Sequence, residues 1–158
     1  MRPSAAGFTL LELVVTVAIV SVLAMVAVPM TQMTMQRLRE SELRSGLQQI
    51  RGALDAYKKA ADAGLIERRL DSSGYPPNLD VLAQGVVNIK SPNAQRLYFL
   101  RRVPRDPFAT DSSQTAAQTW GKRAYASPPD APAEGEDVYD IYSRSDRLGL
   151  NGIAYREW

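Results

Sequence analysis

Glu12 is a carboxylate set just inside an apolar run that begins at Phe8, and residues 13–31 carry no charge. In a membrane helix such a group costs on the order of 1 to 3 kcal/mol unless it reaches the interface or finds a cationic partner. Cleavage between Gly7 and Phe8 would create that partner. Phe8 would gain an α-amino group four residues before Glu12, and in helices packed beside identical copies the amine and carboxylate could pair between subunits. Glu134, Glu136, Asp137 and Asp140 have the close spacing of paired acid–base groups, but they lie beside a proline-rich loop with no nucleophile signature and are read as solvated charges. Histidine and cysteine are absent, which removes the commonest general base, any thiolate nucleophile, a disulfide framework and a zinc ribbon. No glycine-rich phosphate loop with its lysine appears, so energy for any mechanical work must come from another protein. Arg101, Arg102 and Arg105 form a small basic cluster, read as a soluble face that could also meet an acidic patch on a neighbouring subunit or anionic lipid. With 19 basic and 17 acidic residues the net charge is +2, and no broad basic face points to nucleic acid.

The elements that position Glu12 follow from hydropathy. Residues 8–30 as a helix would span roughly 34 Å at about 1.5 Å per residue, enough to cross a bilayer. Residues 1–7 carry one side-chain charge, Arg2, and are too short for a secretory signal peptide. Arg2 ahead of the span places the N-terminus in the cytoplasm and the remainder outside it. The alternative at this stage is an ordinary single-pass anchor whose Glu12 snorkels to the interface.

Residues 31–63 continue the helix as an amphipathic stretch, with Leu43, Leu47, Ile50, Leu54 and Tyr57 on one face. Arg37, Arg39, Glu40, Glu42, Arg44, Gln48, Arg51, Asp55 and Lys58 fall between them and are read as a solvated or subunit-facing surface. Gly64 is the expected stop, and residues 64–158 form one globular domain. Within it, Gly74-Tyr75-Pro76-Pro77 turns into a short helix at 78–84 closed by Gly85. Residues 97–103 alternate apolar and basic up to Pro104, residues 123–126 and 138–143 read as strands, and residues 127–135, with three prolines, form the loop between them. The fold class is therefore α+β: one long N-terminal helix, half of it transmembrane, packed on a small domain with a short antiparallel sheet.

The string Gly7-Phe8-Thr9-Leu10-Leu11-Glu12 closely resembles the processing site of the type IV pilin and pseudopilin superfamily. The resemblance implies a prepilin peptidase that cuts between Gly7 and Phe8 and N-methylates Phe8, with Glu12 guiding assembly. Pro29 sits where the family often has a helix-weakening proline, which removes an amide donor. Beyond residue 70, Gly74-Tyr75-Pro76-Pro77 with Leu79 and Leu82, then Pro104-Arg105-Asp106-Pro107-Phe108 and the closing Trp158, resemble the major pseudopilin of type II secretion systems. That family usually has Trp-Gly straight after the Asp-Pro, whereas here residues 109–119 intervene before Trp120-Gly121, as an insertion would.

The resemblance also implies calcium, bound in a C-terminal loop that follows a serine, here residues 143–158. Asp146 and Asn151 are the candidate ligands, with Asp137 or Asp140 able to approach from a strand. The usual acidic residues near the closing tryptophan are replaced by Tyr155-Arg156-Glu157, so a site of six to eight oxygens is not evident. The other reading makes Asp146 and Asn151 turn formers beside Gly149 and Gly152.

No catalytic residue is expected, and the work is mechanical. The helices leave the bilayer as subunits join the filament base, and their apolar surfaces bury against one another. The resemblance implies a structural subunit of a periplasmic pseudopilus that helps export folded proteins across the outer membrane. It also implies a single-pass inner-membrane location with the C-terminal domain in the periplasm. The implied partners are further copies of the chain, minor pseudopilins, the prepilin peptidase, and an inner-membrane assembly platform with its cytoplasmic ATPase. Two alternatives stay open: a type IV pilus subunit for adhesion or motility, though such pilins often close their C-terminal region with a disulfide, and a membrane-tethered binding or hydrolytic domain.

Overall fold

The computed structural model describes residues 7–69 and 71–158, with the side chains of residues 26–29 left aside. Residues 1–6 of the expected leader, and the side chain of Pro29, thus lie outside the described residues. One helix, α1, runs over Leu10–Asp62. Thr9 caps its start: Leu13 donates its amide to the Thr9 carbonyl at 3.1 Å, and Glu12 donates its amide to Thr9 Oγ1 at 3.2 Å. Hydroxyls within the apolar stretch fold back on the helix, Thr16 Oγ1 onto the Leu13 carbonyl at 2.9 Å and Ser21 Oγ onto that of Val17 at 2.7 Å, so neither is left unsatisfied.

The chain divides into two compact units, up to Leu38 and from Arg39 onward. In the first, the side chains of residues 7–25 are exposed. The second holds the hydrophobic core. Leu43, Leu47, Ile50, Leu54 and Tyr57, the expected stripe, pack with Ile66, Leu79, Leu82, Phe108, Trp120, Val138, Ile141 and Tyr155. Gly46 lies beneath Trp120, where an added Cβ would stand 3.3 Å from the indole ring, so the large ring can rest on the helix backbone. The Trp120 Nε1 donates to the Pro104 carbonyl at 2.8 Å, satisfying its one polar atom.

α1 ends as expected at Gly64, which adopts φ +64°. The amides of Gly64 and Leu65 donate to the carbonyls of Ala61 and Ala60 at 3.0 and 2.9 Å, the paired bonds of a Schellman closure. Helix α2 covers Asp80–Gln84, starting two residues later than expected, and Asn78 lies just ahead of it with its Oδ1 accepting the Val81 amide at 3.1 Å. Two hairpin-like pairs follow. β1 (Val86–Val87) pairs antiparallel with β2 (Arg96–Leu97), and β3 (Trp120–Arg123) pairs antiparallel with β4 (Asp140–Ser143) in the register Trp120↔Ser143 to Arg123↔Asp140.

The β1–β2 pair was not foreseen. The strand expected at 123–126 lies at 120–123 instead, because the buried Trp120 begins it and the chain then turns, with Ser127 donating its amide to the Ala124 carbonyl at 3.1 Å. The strand expected at 138–143 is shortened to β4. Residues 127–135 connect the two strands as an irregular loop, as their prolines require. A 3-10 turn, Ala116–Thr119, precedes β3, and a second, Tyr155–Glu157, precedes the last residue.

Candidate functional site

Phe8 is 79% exposed and stands two residues ahead of α1, so the Gly7-Phe8 bond lies outside regular structure. Glu12 occupies the first turn of the helix with its amide bound to Thr9. Among the described residues its carboxylate has no partner in the chain. The capping role of Thr9 was not read from the sequence, although Thr-x-x-Glu ahead of an apolar run is a helix-start pattern. The helix that follows is long and apolar enough to cross a membrane. Thus a lone carboxylate stands at the head of an exposed apolar helix.

The C-terminal carboxylates are placed differently from the expectation of solvated charges. Asp140 receives Arg51 Nε at 2.8 Å and Arg123 Nη2 at 3.5 Å. Asp137 accepts the Ser73 hydroxyl, and the Tyr125 amide at 2.9 Å. Glu134 and Glu136 are both exposed, as expected, and Glu134 meets Lys122 at 3.6 Å and Arg144 at 3.1 Å. These groups tie loops to strands. Arg105, assigned by sequence to a basic face, donates to the Gln114 carbonyl at 2.6 Å and to that of Asp111, and so organises residues 109–119. Within that segment the Ser113 hydroxyl and amide hold the Asp111 carboxyl below its ordinary range, with Arg105 assisting.

Two residues assigned to the solvated face of α1 are structural. Glu40 is 5% exposed, and its Oε1 accepts the Leu150 amide at 2.8 Å and the Tyr155 hydroxyl at 2.9 Å. Arg51 Nη2 donates to the main-chain oxygens of Ile141 and Trp158, each at 3.0 Å. A signal for Glu40 was present, since it lies three residues before Leu43 and so continues the three-four spacing of the buried stripe. Of the calcium candidates, Asp146 is 82% exposed at its side chain and receives Arg156 Nη1 at 3.1 Å, while Asn151 Oδ1 accepts the Ile153 amide at 3.1 Å. Among the described residues no group of three or more acidic side chains converges as a cation cage.

An exposed apolar N-terminal helix with a lone carboxylate, continuing into a small α+β domain, defines a pilin-like subunit, and residues 2–28 match the model of the prokaryotic N-terminal methylation motif. The chain is 34% identical over 110 residues to the type II secretion system core protein G of Klebsiella pneumoniae, covering 66% of this chain and 70% of that protein. Similarity to the core protein G of Klebsiella michiganensis is 31% over 114 residues, covering 70% of this chain and 72% of that protein. With that of Dickeya chrysanthemi it is 28% over 136 residues, covering 83% and 82%. No solved structure matches the chain. The chain belongs to the type II secretion core protein G family, the major pseudopilins, and the resemblance carried by residues 7–12 and the later motifs is borne out.

Proposed function

We propose that this chain is a structural subunit of a type II secretion pseudopilus, the periplasmic filament that helps move folded proteins across the outer membrane. The observation that carries the proposal is the exposed apolar helix beginning at Leu10, with Glu12 at its head unpartnered among the described residues. Such a surface needs lipid before assembly and other copies of itself afterwards. In this reading the precursor sits in the inner membrane as a single-pass protein with its C-terminal domain in the periplasm. The prepilin peptidase cuts between Gly7 and Phe8 and methylates the new amine. Glu12 then pairs with the Phe8 amine of a neighbouring subunit, neutralising both charges in an apolar surround. Pro29 locally loosens α1 during this transfer. Minor pseudopilins, the assembly platform and its cytoplasmic ATPase complete the machine. The chain itself carries out no reaction.

Intact-mass measurement of the membrane form tests the processing, with loss of residues 1–7 and one added methyl group expected. Glu12→Ala is expected to insert normally yet lose filament incorporation by at least tenfold, read by cross-linking between subunits. Full retention of the leader beside an active peptidase, or normal cross-linking by Glu12→Ala, contradicts it.

A further inference from the structure

The family implies a calcium ion in the C-terminal loop, and the residues of that loop do not fit one. The two candidate ligand side chains already have partners: Asp146 is paired with Arg156, and Asn151 Oδ1 holds the Ile153 amide. Calcium requires six to eight oxygens, usually with several carboxylates to offset its charge. Across residues 144–158 the side-chain charges are three arginines, Arg144, Arg147 and Arg156, against Asp146 and Glu157. The arginines of this stretch outnumber its carboxylates, and Arg156 already occupies the Asp146 carboxylate that calcium would need.

The loop is nevertheless closed at every level. Gly149 donates its amide to the Ile153 carbonyl at 2.9 Å, Tyr155 donates its amide to that of Arg147 at 3.1 Å, and Gly152, at φ +78°, makes the turn between. Tyr155 is fully buried and stacks on Phe108 with centroids 3.9 Å apart, while Trp158 meets the Tyr155 ring edge-on at 5.1 Å. Arg44 of α1 lies over the Trp158 ring at 4.4 Å. Two further α1 side chains then fasten the closed loop. Glu40 Oε1 takes both the Leu150 amide and the Tyr155 hydroxyl, and Arg51 bridges the main-chain oxygens of Ile141 and Trp158 while holding Asp140.

We infer that the C-terminal segment of this chain is fastened to α1 by Glu40 and Arg51 and holds its structure without a divalent cation. Glu40 gives this fastening its strength, because its buried Oε1 accepts two hydrogen bonds whose loss would leave buried polar groups unpaired. Arg51 is part-exposed and adds geometry more than energy.

The test uses the full chain in detergent micelles and reads two quantities: the heat-unfolding midpoint, and the rate at which carboxypeptidase releases Trp158. Each is measured with added calcium chloride and with EGTA. Both readouts are expected to be the same in the two conditions. Glu40→Leu is expected to lower the midpoint by roughly 5 to 10 °C. Glu40→Gln, which keeps an acceptor oxygen, is expected to lose less. Tyr155→Phe removes a single hydroxyl, so it folds even if Glu40→Leu does not, and it is expected to speed release of Trp158 several-fold. A calcium-dependent rise of several degrees, or calcium protection of Trp158 that disappears in Asp146→Ala, overturns the inference. So does a result in which Tyr155→Phe and Glu40→Gln leave both readouts unchanged.

Discussion

Asp106 shows how a single side chain can organise a small domain. It is 2% exposed, yet its Oδ1 accepts the Phe108 amide at 2.8 Å and its Oδ2 accepts the Ser143 hydroxyl at 2.6 Å. Its own amide donates to Thr119 Oγ1 at 3.1 Å, so the segment before the insertion, the 3-10 turn after it and β4 meet at one residue. Asp106→Ala strands a buried hydroxyl and a buried amide, and is expected to cost about 3 kcal/mol. Denaturant unfolding of the full chain in micelles measures it, and a loss below about 0.5 kcal/mol would mean that these bonds carry little of the stability. The Asp-Pro string around this residue was legible in the sequence, but its partners were not, because Ser143 lies thirty-seven positions away and no local pattern links them. Glu40 was missed for a related reason. Its charge outweighed its place on the buried stripe, and only the later chain, through Leu150 and Tyr155, supplies the bonds that make its burial tolerable.

At the scale of elements, α1 was readable because its evidence is local and repeated: an uncharged run, then a three-four stripe, then Gly64. The closure at Gly64 depends on a left-handed conformation that a β-carbon disfavours. Gly64→Ala is expected to cost about 1 kcal/mol although the nearest atom to the added carbon is Lys90 Nζ at 3.7 Å, which leaves room for it. The unfolding midpoint measures this, and an unchanged or higher midpoint would show that the closure is not strained by a side chain. The strands were less legible. β1 and β2 are two residues each, too short for any alternation, and they exist because residues on either side of the Asn88–Gln95 hydrogen bond are brought together. β3 is displaced from its expected position because Trp120 and Gly121 belong to it, and Gly121 pairs with Tyr142, whose ring occupies the space a side chain would need. A glycine read alone gives no sign of a cross-strand aromatic.

For the molecule as a whole, the two compact units have opposite requirements. Arg39–Trp158 buries its own core, whereas residues 7–25 expose apolar side chains along a helix. The second unit therefore accounts for its own stability, and in the proposed function the first is completed by lipid or by other copies. The processing string at residues 7–12 and the hydropathy of the helix made this division of labour visible in the sequence. The way Arg105 holds residues 109–119 and the fastening of the C-terminal loop emerged only from the structure's contacts. The most direct measurement compares the proteins of the culture medium between a strain lacking this chain and its complemented parent, with surface fibres imaged in parallel. Loss of specific exported proteins with surface pili intact is expected of a pseudopilus subunit; unchanged export with loss of surface fibres would contradict that role and make the chain a surface pilin.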